Sequence, residues 1–395
     1  MKLKSGYIIL LIALSFRAVP VYSFDMGVSL YNSHLVQSLV FTVVDGYFRI
    51  SGEGTKPFSM GPGSSCFFLH SYDTLYVRNQ EGNWFCSNEI QITGEEGSVF
   101  SLKPSDPVLD SREYHGDLAL GISMRSLRII NLIDLETYIM GVAEAEAGPR
   151  CPLEYYKVQA ILSRTFALRN LERHLEEGFN LCDGVHCQAY KGRHVWNEDV
   201  EIGTEVTSGL VLCDRDTVLI NPVYHSNSGG ETRGAGEVWL KEESYLLPVL
   251  DPFSNGQQNS NWERSMHIRD WLMYLLSYEI RFGEKADTAG LEMRLNHRQE
   301  YYRVFDDSID VSNIRKDFNY RSDFFDVIVD GEMVRIRGRG YGHGVGLSQE
   351  GAIEMSRRRY HYTAILNYYY HEIQIVPYFF LDTDAGLEGN PLFSH

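Results

Sequence analysis

Between Leu135 and Gly178 the chain carries a helical block, and most of the patterned sequence around it reads as strand. The segment LETYIMGVAEAEAG, from Leu135, is short and amphipathic, and Gly148 and Pro149 stop it. Pro152 then suits the first turn of a second helix, where its missing N–H costs nothing. The run PLEYYKVQAILSRTFALRNLERHLEEG predicts a helix of about 25 residues ending at Gly178. Within it Val158, Ile161, Leu162, Thr165 and Leu168 keep the helical period.

Before this block, residues 24–125 read as β-structure, with β-branched and aromatic runs and a turn at Asp45-Gly46. After it, residues 204–250 return to strand patterning, 254–262 is polar and loop-like, and 268–281 is helical. Strands resume near 325–329 and 334–336. The glycine-rich GRGYGHGVGLSQEGA then leads to helices near 352–358 and 363–370. The expected fold is α+β: a β-rich region 24–125 packed on a mixed α/β region 126–378 with a central cleft. A loose tail covers 379–395. Of the 395 residues 44% are hydrophobic, enough for a sizeable core.

The net charge of −17 repels nucleic acid and anionic lipid, which argues against a DNA-binding role and against nucleic acid as a partner. Residues 1–23 hold Lys2, Lys4 and Arg17 without an acid, an apolar stretch Tyr7 to Phe16, and Val21-Tyr22-Ser23 as a small-x-small site. That is the layout of a secretory signal peptide, with a retained anchor as the alternative. Export permits disulfides, and Cys66 and Cys86 flank segments that read as adjacent strands, so their pairing is expected. The 25 tyrosines can stack on sugar rings or fill a β-rich core; composition does not choose between these uses.

Four segments in order resemble the SpoIID/LytB family: NLIDLETYIMGVAEAE (131–146); LEYYKVQAILSRTFAL (153–168) with CDGVHCQAYKG (182–192); TSGLVL (207–212) leading to VYHSNSGGET (223–232); and GRGYGHGVGLSQEGA (338–352) with AILNYYYHEIQI (364–375). Together they cover roughly residues 110–376. Ala147 stands where the family usually has Met, and 254–320 matches poorly, as an insert would. The resemblance implies activity toward bacterial cell-wall glycan. One branch of the family consists of lytic transglycosylases acting on glycan stripped of stem peptides; the other, of amidase enhancers. Peptidoglycan strands and a cell-wall amidase are the partners implied.

Alignment on Tyr138, Gly141 and Val142 makes Glu146 the family's motif glutamate, the one acid/base of a lytic transglycosylase. Its neighbours Val142, Ala145 and Ala147 are small or apolar, and burial among them would favour the protonated acid. A solvated helix glutamate is the bland alternative, and Glu144 the rival, on another helix face. Lys157 and Arg164 lie seven apart on one face, either solvated or a buried polar line. Lys157, Gln159 and Arg164 fall on family motif positions, so the resemblance implies that they bind substrate or hold the Glu146 neighbourhood.

Near the turn at 225–230, Tyr224, Ser226 and Ser228 offer sugar hydrogen bonds or turn structure. His343 and Gln349 either contact substrate or satisfy backbone groups. A Ser/His hydrolase lacks its G-x-S-x-G elbow here, and a phosphate loop lacks the Lys-Ser/Thr pair. His174, Cys182, His186 and Cys187 supply four N/S groups within 14 residues, enough for a structural zinc site. A Cys182–Cys187 disulfide or free thiols remain open on spacing alone. Some family members bind zinc with a similar set.

Overall fold

The computed structural model describes residues 25–381, except 55, 124, 195–196, 240 and 282–287. The leader expected at 1–23 and the tail from 382 onward lie outside the described residues. The fold is α+β.

Two sheets build the N-terminal part. One runs, strand by strand, Leu181–Cys182, Asp25–Ser29, Ser126–Asp134, Asp117–Ser123, Ile90–Gly94, Phe48–Gly52 and Phe58–Met60. The other runs Arg112–His115, Val99–Asp106, Ser38–Asp45, Ser65–Ser71, Thr74–Arg78 and Trp84–Ser87. Alternation puts Leu39, Phe41 and Val43 inward along one strand. Phe41 stacks on Phe100 at 5.3 Å and meets Phe48 of the facing sheet edge-on at 5.5 Å, so both sheets share one core. Strands Asp117–Ser123 and Ser126–Asp134 pair across residue 125, so the β-rich part runs on to Asp134.

Cys66 and Cys86 do not pair. The strand Thr74–Arg78 lies between theirs, Cys66 is buried with its thiol 3.4 Å from Met60 Sδ, and Cys86 is exposed. The expectation of adjacency missed that intervening strand.

The helices are α1 (Leu135–Ala147), α2 (Leu153–Arg169), α3 (Glu198–Val206), α4 (Gly236–Trp239), α5 (Ile268–Ser277), α6 (Val311–Asp317), α7 (Gln349–Arg357) and α8 (Tyr362–Tyr369). Asp134 caps α1, its Oδ1 accepting from the N–H groups of Glu136 and Thr137 at 3.0 and 3.1 Å. Among the described residues no helix is long and apolar enough to cross a membrane.

α2 is shorter than expected. It ends at Asn170, and Gly178 instead closes a 3-10 turn, Leu175–Glu177. The cause is tertiary: Asn180 donates to the Leu171 carbonyl and accepts from the Gly27 N–H, each at 2.8 Å, pulling the chain back to the first strand. α2 is buried almost all round, the signature of a central helix. Ala160, Ala167 and Leu168 join the β core; Tyr155, Val158, Ile161 and Leu162 join a second core with α7 and α8.

The strand patterning of 204–250 shrinks to Leu210–Cys213, paired with Gln374–Pro377, and Tyr224–His225, paired in parallel with Leu347–Ser348. Val206 belongs to α3 instead. The poorly matched segment folds with the strands after it: Trp262, Trp271, Tyr302, Ile314 and Phe325 form a third core under the sheet Asn261–His267, Met333–Arg339, Phe325–Asp330.

Candidate functional site

Glu146 sits half-buried in the last turn of α1. Its Oε1 accepts the main-chain N–H of Ala189 at 2.8 Å, and the phenol of Tyr224 neighbours the same carboxyl group. Gln349, at the start of α7, turns its side-chain amide to the Glu146 carbonyl at 3.4 Å and also bonds Tyr155. Tyr155 donates to Gln159 Oε1 at 3.3 Å, and Gln159 reaches Tyr224. The structure therefore brings Glu146, Gln159, Tyr224 and Gln349 together, from four separate elements. Burial, and then the neighbouring Glu146 charge, hold the Tyr224 phenol neutral well above its usual range. Glu144 lies beside Tyr156 instead.

Two close approaches allow these elements to meet. A Cβ on Gly141 would stand 2.3 Å from the Gly192 carbonyl, so glycine lets residues 189–192 lie against α1. Gly340 (φ 80°) and Gly346 (φ 70°) do the same for the glycine-rich loop: a Cβ would fall 2.6 Å from the Asn227 carbonyl and 2.2 Å from that of Val223.

Arg164 and Lys157 have other partners. Arg164 is fully buried and bidentate on Glu136, with Nε and Nη2 at 2.7 and 2.5 Å, and Nη1 donates to the Leu210 carbonyl at 2.9 Å. Glu136 lies at the opposite end of α1 from Glu146, about 15 Å away by helical rise. Arg164 therefore neither meets Glu146 nor holds its immediate surroundings. It fastens α2 to the start of α1. Lys157 pairs with Glu154 at 2.6 Å and sits 5.8 Å from the Tyr362 ring centroid, linking α2 to α8.

Ser228 is buried, bonded to Asp251 at 2.7 Å and Ser254 at 2.8 Å, and shapes the turn rather than facing the notch. Ser226 is half-buried and accepts from Asn259 at 3.2 Å. His343 accepts the Val345 N–H at Nδ1, 3.1 Å, and so donates from Nε2 to the Tyr224 carbonyl at 3.0 Å. Both ring nitrogens serve the main chain. Glu350, beside Gln349, is engaged by the side chains of Asn227 and Asn259 at 2.6 and 2.7 Å.

Sequence reasoning missed Tyr155 and Ala189. Tyr155 was within reach, since it precedes Gln159 by one helical turn on the same face. Ala189 acts through its backbone and leaves no signal.

The donor atoms of His174, Cys182, His186 and Cys187 all lie within 4.8 Å of one another. Both thiols are free, so no disulfide joins them. Sulfur–nitrogen separations of 3.5, 3.7 and 3.9 Å match the ~3.6 Å edge of a tetrahedral N/S metal site. Glu177 holds His174 Nδ1 at 2.5 Å, leaving Nε2 turned to Cys187, the carboxylate–histidine pairing usual behind a metal ligand. The cluster can hold a metal ion.

An α+β scaffold with a half-buried carboxylate among phenols and amides, next to a two-Cys, two-His cluster, defines the class. Residues 123–213 match the family model described as stage II sporulation protein. Stage II sporulation protein D of Bacillus subtilis is 24% identical over 339 residues, covering 81% of this chain and 96% of that protein. An uncharacterized protein of Brachyspira hyodysenteriae is 26% identical over 296 residues, 74% of this chain and 79% of its own. The amidase enhancer of B. subtilis is 25% identical over 284 residues, 59% of this chain but 39% of that protein. These matches support the resemblance of the chain to the SpoIID/LytB family.

Proposed function

We propose that this protein works on the bacterial cell wall as a lytic transglycosylase cleaving peptidoglycan glycan strands, with Glu146 as its single acid/base. The observation that carries the reading is the grip on Glu146: an N–H from Ala189 and the Tyr224 phenol converge on one half-buried carboxyl. In the reaction Glu146 gives its proton to the glycosidic oxygen between MurNAc and GlcNAc as that bond breaks. The muramic C6 hydroxyl then closes on the anomeric carbon, and Glu146 takes the hydroxyl proton. The carboxyl ends as it began, and the product is a 1,6-anhydro-muramic end formed without water. An ordinary glycosidase would need a second carboxylate as nucleophile or base.

Gln159 and Gln349 supply the amides that meet sugar hydroxyls, and Ser226 and His343 line the adjoining turn. The leader at 1–23 fits export to the envelope, where the substrate lies. The four-donor cluster would hold zinc: two thiolates and two imidazoles are its preferred set, and four protein ligands would leave no open position, giving the ion a structural role.

The test is to incubate the mature chain and its Glu146→Gln variant with peptide-free and with intact peptidoglycan, and to read the products by mass spectrometry. Anhydro-muramic ends from the wild type alone are expected. Retained glycan binding with no product from either protein would sink the catalytic reading in favour of a non-catalytic enhancer of a cell-wall amidase, a reading that similarity to the amidase enhancer favours.

A further inference from the structure

Trp239 ends the short helix α4 with 44% of its surface exposed. Its ring lies 5.3 Å from the His343 imidazole, tilted by 51°. His343 in turn bonds the Tyr224 carbonyl, and the Tyr224 phenol neighbours Glu146. The indole and the carboxyl group are thus linked through two residues, His343 and Tyr224.

The base of α4 is held unusually firmly. Arg233 donates to the Glu237 carbonyl at 2.9 Å and pairs with Asp323 at 2.5 Å; the other oxygen of Asp323 holds Arg298 at 2.7 Å. Arg298 also donates to the Ser228 carbonyl at 2.7 Å, which ties α4 to the turn beside the notch. Buried charges such as these rarely repay their desolvation, so their yield is fixed geometry. What they fix is a rigid, flat, outward-facing apolar surface, the kind that binds at little entropic cost.

We propose that Trp239 is a stacking platform for a sugar ring of the glycan strand, a subsite beyond the bond that Glu146 addresses. One face of a pyranose presents C–H groups, which pack on an indole while the hydroxyls stay at its rim. This inference rests on the glycan reading of the Glu146 notch.

The test uses the full chain carrying Glu146→Gln, which does not turn over, and purified peptide-free glycan strands as the probe. Adding Trp239→Ala weakens binding on the order of tenfold, and Trp239→Phe restores most of it. Glycan also changes the intrinsic indole emission of the parent, and Trp239→Phe abolishes that change. A Trp239→Ala protein that melts like its parent and binds glycan equally overturns the platform. If Trp239→Ala misfolds, an emission change undiminished in Trp239→Phe overturns it. Trp239-dependent binding with no anhydro product from the wild type would remove the catalytic reading and keep the platform. A Glu146→Gln parent that binds no glycan removes both.

Discussion

The main-chain N–H of Ala189 donates to Oε1 of Glu146 at 2.8 Å, and Ala189 follows Cys187 by two residues. The orientation of the carboxyl group is therefore tied to the loop that carries the Cys/His cluster. Tyr138, fully buried, packs 5.0 Å from the Tyr190 ring and donates to Gln188 Oε1 at 3.4 Å, on the same loop.

Metal removal should loosen that tie. We predict that a strong chelator lowers the unfolding midpoint of the wild type by roughly 5 °C or more and slows its turnover. Cys187→Ser should start at the lower midpoint and not respond. Scanning calorimetry with elemental analysis of the protein decides; a chelator-insensitive wild type that contains no metal would end the zinc assignment.

Tyr224→Phe removes the phenol from the Glu146 carboxyl and leaves the ring in its packing. A hydrogen bond formed by that phenol to the reacting carboxyl is worth about 1.5–3 kcal/mol, so kcat should fall roughly 10- to 100-fold while glycan binding changes little. Initial rates of anhydro-product formation measure this. An undiminished rate would show that Tyr224 does not position the acid.

Arg164→Ala should destabilise by about 3–5 kcal/mol, because it strands Glu136 and the Leu210 carbonyl without their donor. The double variant Arg164→Met, Glu136→Leu should recover much of the loss, since no charge is left unpaired. Urea unfolding of the two proteins is the comparison, and equal midpoints would contradict the holding role of this ion pair.

Acid sensitivity follows from the buried imidazoles. Burial, opposed by the bond to the Tyr224 carbonyl, pushes His343 down to about 4 from an ordinary 6.5. Above pH 6.5 it is neutral both folded and unfolded, and contributes no slope. Between 6.5 and 4 the unfolded chain takes up a proton that the fold does not, so stability falls with pH, by about 3 kcal/mol from this residue once pH reaches 4. His225, more deeply buried, is shifted the same way and extends the loss to lower pH. His343→Gln, which can keep a donor to Tyr224, should flatten the slope between pH 6.5 and 4 in denaturant titrations; an unchanged slope would place the acid sensitivity elsewhere.

The start of α1 was legible because an amphipathic run begins at Leu135, and its stop because Gly148 and Pro149 follow. The end of α2 was not: Arg169 to Gly178 keeps good helix formers, and the bonds that break the helix come from Asn180 and Gly27, far apart in the chain. Lys157 and Arg164 do share a helix face, yet that face runs from the side of α8 to the far end of α1, so a common face did not mean a common site. The strand Tyr224–His225 fell within a stretch read as strand, but its partner Leu347–Ser348 was not legible because the pairing spans more than a hundred residues of sequence.

Local chemistry was determined by the sequence alone. It carried the limits of α1, the alternation of the strands, and the four soft donors packed into one short segment. These depend on neighbours within a few turns, where backbone preference and spacing decide. Only the tertiary structure decided which of these groups meet. It brought Ala189, Tyr155 and Tyr224 to Glu146, turned Arg164 toward Glu136, and parted Cys66 from Cys86 by a strand. Each of those outcomes rests on contacts between distant segments, whose geometry is set by packing and by backbone groups that no residue name records.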